Sequence, residues 1–120
     1  MKLRVAVLLA VVLATGAIPA HADARDEARA YVTFGIDMAQ RGLWREAVYR
    51  WERAVEIDPT YAEAYNNLAI GYEQEGSLDK ALAAYEKALA LDPDNLQIRQ
   101  NYELFRDIND RTRSANTTGP

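Results

Sequence analysis

Residues 64–93 read AYNNLAIGYEQEGSLDKALAAYEKALALDP, and residues 30–59 read AYVTFGIDMAQRGLWREAVYRWERAVEIDP, a second version of the same pattern. The prolines that close the two stretches, Pro59 and Pro93, are 34 residues apart. The same shift aligns further identical residues: Tyr31 with Tyr65, Gly42 with Gly76, Ala47 with Ala81, Ala54 with Ala88, and Asp58 with Asp92. A fixed period of this length is typical of units that stack into a solenoid.

Each unit contains two runs of apolar residues at helical spacing. In the second unit these residues are Tyr65, Leu68 and Tyr72, then Leu82, Tyr85 and Leu89. Gly76 separates the runs, and glycine readily adopts the left-handed backbone that ends a helix. Asp92-Pro93 ends the second run, because proline disfavours helical geometry at the residue before it. The sequence therefore predicts two helical hairpins, with Trp51 and Tyr85 filling the space between neighbouring units.

This pattern resembles the tetratricopeptide repeat (TPR), in which an aromatic residue, Leu, a small residue and Tyr precede Ala, an aromatic residue, Ala and Pro. The unit at 64–93 keeps the pattern throughout. The unit at 30–59 has Phe34 and Met38 in place of Leu and Tyr, and both remain apolar and of useful core size. The resemblance implies an all-α fold: a short right-handed solenoid of two TPR helix-turn-helix hairpins plus a C-terminal capping helix.

The domain boundaries follow from the repeat. Two repeats at 28–61 and 62–95 and a capping helix at 95–110 make up a domain at 23–110. One face of the capping helix is apolar and consists of Ile98, Tyr102 and Phe105. Its other face is polar, as the solubility of a terminal unit requires. Residues 111–120 lack an apolar period and are predicted to form a disordered tail.

Residues 1–22 have the three zones of a secretory signal peptide. Lys2 and Arg4 form a basic start, residues 5–18 an apolar run, and residues 20–22 (AHA) a cleavage site. We therefore expect cleavage after residue 22 and a periplasmic or secreted protein. An uncleaved anchor is the alternative, but the apolar run is shorter than the roughly 20 residues that a spanning helix needs. The chain has no Cys to accept a lipid anchor, so no stable membrane insertion is expected after cleavage.

Composition excludes several kinds of chemistry. The chain has 14 basic and 18 acidic residues, and loss of Lys2 and Arg4 would leave 12 basic residues and a net charge of about −6, which argues against nucleic acid as a partner. The one histidine, His21, lies in the segment expected to be removed, and cysteine is absent. We therefore predict no catalytic residues, no metal site, no cofactor and no enzyme activity.

In the TPR family the first helix of each unit lines a concave groove, so the resemblance implies that a protein or peptide partner binds there. The groove residues that it implies are Val32, Ile36, Gln40, Asn66, Asn67, Ile70, Glu73, Gln97 and Asn101. Some family members bind a C-terminal carboxylate in this groove, but only Asn67 matches that set here. Apolar side chains and amides fit an extended or helical segment instead. Alternatively, the asparagines only solvate the surface and the isoleucines pack within the stack.

Two classes of function are compatible with these features. One is a non-enzymatic adaptor or scaffold that binds a protein segment in its groove. The other is a structural protein that assembles through its exposed repeat end, since a stable stack usually needs about three repeats. The first helix begins DARDEARAYV at residues 23–32, with charges of both signs. This favours a monomer or weak homodimer, and hence the adaptor.

Overall fold

A computed structural model of the chain describes residues 20–119, which form five α-helices. These are α1 (Ala20–Gln40), α2 (Trp44–Ile57), α3 (Ala62–Gln74), α4 (Leu78–Leu91) and α5 (Leu96–Thr117). The predicted signal peptide at 1–22 falls almost entirely outside these residues. Within them, no helix combines the length and the apolar content needed to cross a bilayer.

The turns inside the two hairpins depend on glycine. Gly42 and Gly76 have φ angles of 77° and 75°, the left-handed region that favours glycine. The residue after each glycine donates its amide back across the turn, Leu43 to the Met38 carbonyl at 3.0 Å and Ser77 to the Tyr72 carbonyl at 2.8 Å. The predicted hairpin turns are confirmed.

The five helices form two hairpins and a cap. Helix α1 packs against α2, and α3 packs against α4. Contacts between α2 and α3 join the hairpins, and α5 packs on α4. Small residues on the second helix of each hairpin permit this close approach, and four of them are fully buried: Ala47, Ala54, Ala81 and Ala88. The predicted all-α solenoid of two hairpins and a cap is therefore the observed architecture.

One large aromatic side chain in each hairpin fills the space next to the following helix, as expected. Trp51 is 2% exposed, and its indole Nε1 donates to the Val32 carbonyl at 3.2 Å. Its ring also lies against both first helices, because a Cβ at Gly35 would be 2.3 Å from Trp51 Nε1 and one at Gly71 would be 3.0 Å from Trp51 Cζ3. The equivalent Tyr85 is buried between α3 and α5.

Tyr85 makes this second junction through its ring and its hydroxyl. The ring centroid lies 6.0 Å from that of Tyr102 and 5.4 Å from that of Phe105, both on α5. The hydroxyl donates to Glu73 Oε2 on α3 at 2.5 Å. Burial and the Glu73 carboxylate both raise the pKa of the Tyr85 phenol, so that the hydroxyl stays protonated. Tyr85 therefore joins α3 to the cap.

A buried carboxylate organises the connection between the hairpins. Asp58, which is 2% exposed, accepts hydrogen bonds from the Thr60 amide at 3.0 Å and the Thr60 hydroxyl at 2.7 Å. Arg25 Nε, from the first turns of α1, donates to its other carboxylate oxygen at 2.5 Å. The Arg25 guanidinium also lies 4.5 Å from the centroid of the Tyr61 ring. These contacts fasten α1 to the α2–α3 loop.

The C-terminal segment corrects one prediction. Helix α5 continues to Thr117, whereas residues 111–120 were expected to be disordered. The extension is exposed and makes contacts within α5 rather than with other helices. An Asp107–Arg111 ion pair at 2.9 Å spans one turn. The hydroxyls of Thr112 and Ser114 donate to carbonyls four residues earlier. Contacts of this kind leave no apolar period in the sequence, which is why the pattern missed the helix.

Candidate protein-binding groove

A shallow depression lies between the two first helices, and we call it the α1–α3 groove. Its walls are Ile36, Ala39 and Gln40 from α1 and Asn67 and Ile70 from α3, with Trp44 and Trp51 of α2 below. The two wall residues at equivalent repeat positions, Ile36 and Ile70, are both partly buried. The depression encloses about 240 Å³.

Helical spacing explains why these side chains converge. Ile36 and Gln40 are four residues apart on α1, and Asn67 and Ile70 are three apart on α3, so each pair shares one face of its helix. Stacking of the hairpins places this flank of α1 beside the flank of α3 that carries Asn67 and Ile70, so both flanks line one depression. Four of the nine predicted groove residues thus line a common surface.

Val32 has a different place from the one predicted. It is 2% exposed and belongs to the core formed by α1, α2 and α3. The reason is its phase on α1: Val32 lies four residues after Ala28 and three before Gly35, and all three face inward. Val32 therefore supports the groove from behind through its carbonyl, which accepts the Trp51 hydrogen bond, and offers no side chain to a partner.

The amide cluster expected at the surface is partly used inside the protein. Asn66 is 5% exposed, and its Oδ1 accepts a hydrogen bond from Asn101 Nδ2 at 3.2 Å. This bond joins α3 to α5, so both amides position the cap. Glu73 is similarly engaged by Tyr85, and Gln97 is exposed on α5. Among the predicted amides, Gln40 and Asn67 are the two that reach the α1–α3 groove.

Sequence reasoning missed the floor of the groove. Trp44 and Trp51 belong to α2, whereas the groove was expected to be lined by the first helix of each unit. The available signal was Trp51 itself, which was expected in the gap between repeats. A side chain that fills such a gap also forms the bottom of a depression between the repeats. The aromatic floor and the two isoleucines make the depression apolar, and no charged residue lines it.

A second depression lies on the other side of α3, between α2 and α4, and encloses about 450 Å³. Its charged lining residues are Glu52, Glu56, Lys80 and Lys87, two acids and two bases. The Lys80 ammonium lies 5.6 Å from the centroid of the Tyr72 ring. Burial raises the pKa of Tyr72 to about 12, and the neighbouring Glu52 carboxylate adds to this effect. The charged surface of this depression contrasts with that of the α1–α3 groove.

Residues 20–119 contain no group of three or more His, Cys, Asp or Glu side chains placed to hold a metal ion.

The hairpin geometry, the glycine turns and the period together define a tetratricopeptide repeat protein, and comparison with known families agrees. The family model described as tetratricopeptide repeat matches residues 62–95, and the one described as TPR repeat matches residues 38–76. This chain belongs to the tetratricopeptide repeat family, which is generally non-enzymatic and generally mediates protein interactions.

Among solved structures, the crystal structure of MamA is similar to this chain, with 28% sequence identity and a TM-score of 0.65. The match covers 70% of this chain and 49% of the MamA chain, so this chain spans about half the length of that relative. No curated protein matches the sequence.

Proposed function

We propose that this protein is a non-enzymatic adaptor that binds an extended or helical segment of a protein partner in the α1–α3 groove, in the periplasm or outside the cell. The observation that carries the proposal is the uncharged depression of Ile36, Ile70 and Trp51 with Gln40 and Asn67 at its edge. An apolar side chain of the partner would enter the depression. The two amides, each with donors and an acceptor, would pair with the partner backbone.

The size of the groove supports a peptide segment over a small molecule. Pockets for small ligands usually enclose about 300–1,000 Å³, and the α1–α3 groove is smaller and shallow. A depression of about 240 Å³ suits one or two anchoring side chains of a longer chain. The lack of charge in its lining also argues against a charged terminus as the anchor, because a buried charge needs a partner.

The proposal predicts a crosslink that depends on position. A photoreactive amino acid at Ile36 or Asn67, introduced in the native host, is expected to capture a partner and give an adduct heavier than twice the 13.5 kDa of the chain. The same probe at Lys87 samples the α2–α4 depression. Heavy adducts at Lys87 alone would show that the partner binds at the depression between α2 and α4 instead. Adducts only at the homodimer mass would contradict the adaptor.

A charge placed in the groove tests the apolar anchor. With the probe at Ile36, Ile70→Lys is expected to lower the crosslink yield about tenfold or more, because it places an unpaired charge where the partner's apolar side chain would sit. Leu104→Lys is the matched control, since Leu104 lies 34 residues after Ile70 and is 60% exposed on α5. Equal losses from the two substitutions would sink the assignment of the groove.

The proposed location predicts the N-terminus of the exported protein. Cleavage after Ala22 would leave Asp23 as the first residue, and Arg25, which holds Asp58, would stay in the chain. Intact-mass measurement on protein from the periplasm or medium is expected to give the mass of residues 23–120. Recovery of the uncleaved chain in the membrane fraction would instead support the anchor.

A further inference from the structure

One face of α1 exposes a large aromatic side chain among charged residues, and we call it the α1 outer face. A broad depression of about 530 Å³ on this face is lined by Asp26, Arg29, Ala30, Thr33, Phe34 and Asp37. Arg41 extends the face through an ion pair with Asp37 at 3.1 Å. Phe34, at its centre, is 47% exposed.

The repeat shows that two residues of this face occupy positions that are buried in the second hairpin. Ala30 and Phe34 lie 34 residues before Ala64 and Leu68. In the second hairpin, Ala64 is 0% and Leu68 is 3% exposed, because that hairpin has a neighbour. The same positions in the first hairpin keep a small and a large apolar residue but are exposed. A surface of this kind gains by being covered.

The charges around Phe34 indicate what covers it. Along α1 they run Asp26, Arg29, Asp37, Arg41, so the signs are negative, positive, negative, positive. The arrangement is centred: Asp26 lies seven residues before Thr33, and Arg41 lies seven residues after Phe34. A parallel copy of the helix would oppose like charges. An antiparallel copy centred on the same point opposes opposite charges at these four positions of α1.

We propose that the α1 outer face binds the same face of a second copy of this protein in an antiparallel, two-fold symmetric dimer. Asp26 of one copy would then face Arg41 of the other, and Arg29 would face Asp37. Residues Ala30 and Phe34 would pack against their counterparts near the two-fold axis. Such a contact uses one patch on both copies and closes on itself, so it stops at two.

Residues of α2 beside this face would contribute to the contact. The Arg50 guanidinium lies 4.6 Å from the centroid of the Phe34 ring and 5.8 Å from that of the Tyr49 ring. Tyr49 is 59% exposed. Aromatic residues and arginines of this kind are enriched in protein interfaces. Within one copy the four charged side chains already form intrahelical ion pairs, Asp26 with Arg29 and Asp37 with Arg41, and the dimer would give each a second opposite charge.

The dimer and the proposed groove are independent of each other. Ile36 is two residues after Phe34, which turns it by about 200° around α1, so the groove and the α1 outer face point in different directions. The dimer would therefore leave both grooves open and present two binding sites on one particle. Absence of a crosslink from the groove would not contradict the proposed dimer, and absence of a dimer would not contradict binding in the groove.

Sedimentation across a concentration series tests the association. The protein is purified in the form that its producing cell releases after any processing. It is expected to shift from monomer to dimer between protein concentrations of about 1 μM and about 1 mM. Phe34→Glu is expected to weaken this association about tenfold or more, because two carboxylates would meet near the axis. Leu104→Glu, the same kind of change on an exposed apolar residue of α5, is expected to leave it unchanged. A monomer throughout the range would overturn the proposal.

Two charge reversals test the antiparallel pairing directly. Asp26→Arg alone and Arg41→Asp alone each place like charges opposite one another in both symmetric pairs, so each variant is expected to be monomeric. An equimolar mixture of the two restores opposite charges in both pairs, so it is expected to form a heterodimer of parental affinity. Circular dichroism checks that each variant is folded.

The outcomes of the charge reversals separate this dimer from other occupants of the face. If both single variants dimerise normally, the contact lies elsewhere. If the mixture stays monomeric while the parent dimerises, the contact is not antiparallel. A third outcome is that the parent is monomeric and binds a different protein, and that Phe34→Glu abolishes this binding. The α1 outer face would then be the binding site for that protein. Each of these results would overturn the proposed dimer.

Discussion

Trp51→Ala is expected to lower the free energy of unfolding by about 3–5 kcal/mol, because it truncates a large aromatic side chain in the core. The side chain is 2% exposed and lies against Gly35 of α1 and Gly71 of α3. Its removal opens a cavity between the hairpins and leaves the Val32 carbonyl without its indole donor. A small domain has only about 5–15 kcal/mol of stability, so part of the variant is expected to be unfolded at room temperature.

Urea denaturation followed by circular dichroism measures this loss. Trp51→Phe keeps an aromatic ring but cannot donate to the Val32 carbonyl, so it is expected to cost only about 1–2 kcal/mol. Leu104→Ala, an exposed change on α5, is expected to stay within about 0.5 kcal/mol of the parent. A Trp51→Ala variant within about 1 kcal/mol of the parent would contradict the role of this side chain as the packing element between the hairpins.

The second large effect depends on pH. Burial alone raises the pKa of Asp58, but hydrogen bonds from Thr60 and from Arg25 outweigh it and lower the pKa from 3.8 to about 2. A folded pKa below the unfolded value means that the stabilisation is complete above about pH 4 and is lost as the pH falls towards 2. Asp58→Asn is therefore expected to cost about 2 kcal/mol at neutral pH.

The difference in the free energy of unfolding between the parent and Asp58→Asn measures the contribution of this carboxylate alone, because all other acidic residues are present in both proteins. In urea denaturation from about pH 7 to about pH 2, the difference is expected to stay constant down to about pH 4 and then to shrink towards zero. Asp94→Asn, at an exposed aspartate in the turn between α4 and α5, is the matched control and is expected to differ little from the parent at any pH. If the difference in the free energy of unfolding between the parent and Asp58→Asn were as large at pH 2 as at pH 7, the charge of Asp58 would not be what stabilises the loop.

The predictions that succeeded rest on features that repeat. Gly42 and Gly76 were predicted to turn the chain because each follows an apolar run at the same place in its unit, and both have positive φ angles. Trp51 and Tyr85 were predicted to fill gaps because they occupy equivalent positions one period apart. When one sequence feature occurs twice at the same spacing, chance coincidence becomes a poor explanation.

The predictions that failed concern neighbours that the period does not specify. Val32 was expected in the groove and is buried, because its side chain meets the α2–α3 junction instead of solvent. Asn66 was expected at the surface, but Asn101 of the cap lies beside it and donates a hydrogen bond to its side chain. Residues 111–117 lacked an apolar period, yet α5 continues through them as an exposed helix. In each case the deciding partner is either on another element or outside the repeat.

The sequence by itself determined the repeat unit, the two hairpin turns and the membership of a repeat family, because backbone preferences and apolar periodicity are local properties of the chain. It also determined the order of charges along α1. Only the tertiary structure decided which of the expected groove residues share a surface, that α2 supplies its floor, and that Phe34 is exposed where Leu68 is buried. Burial depends on what another helix places opposite a side chain, and a linear pattern does not contain that information.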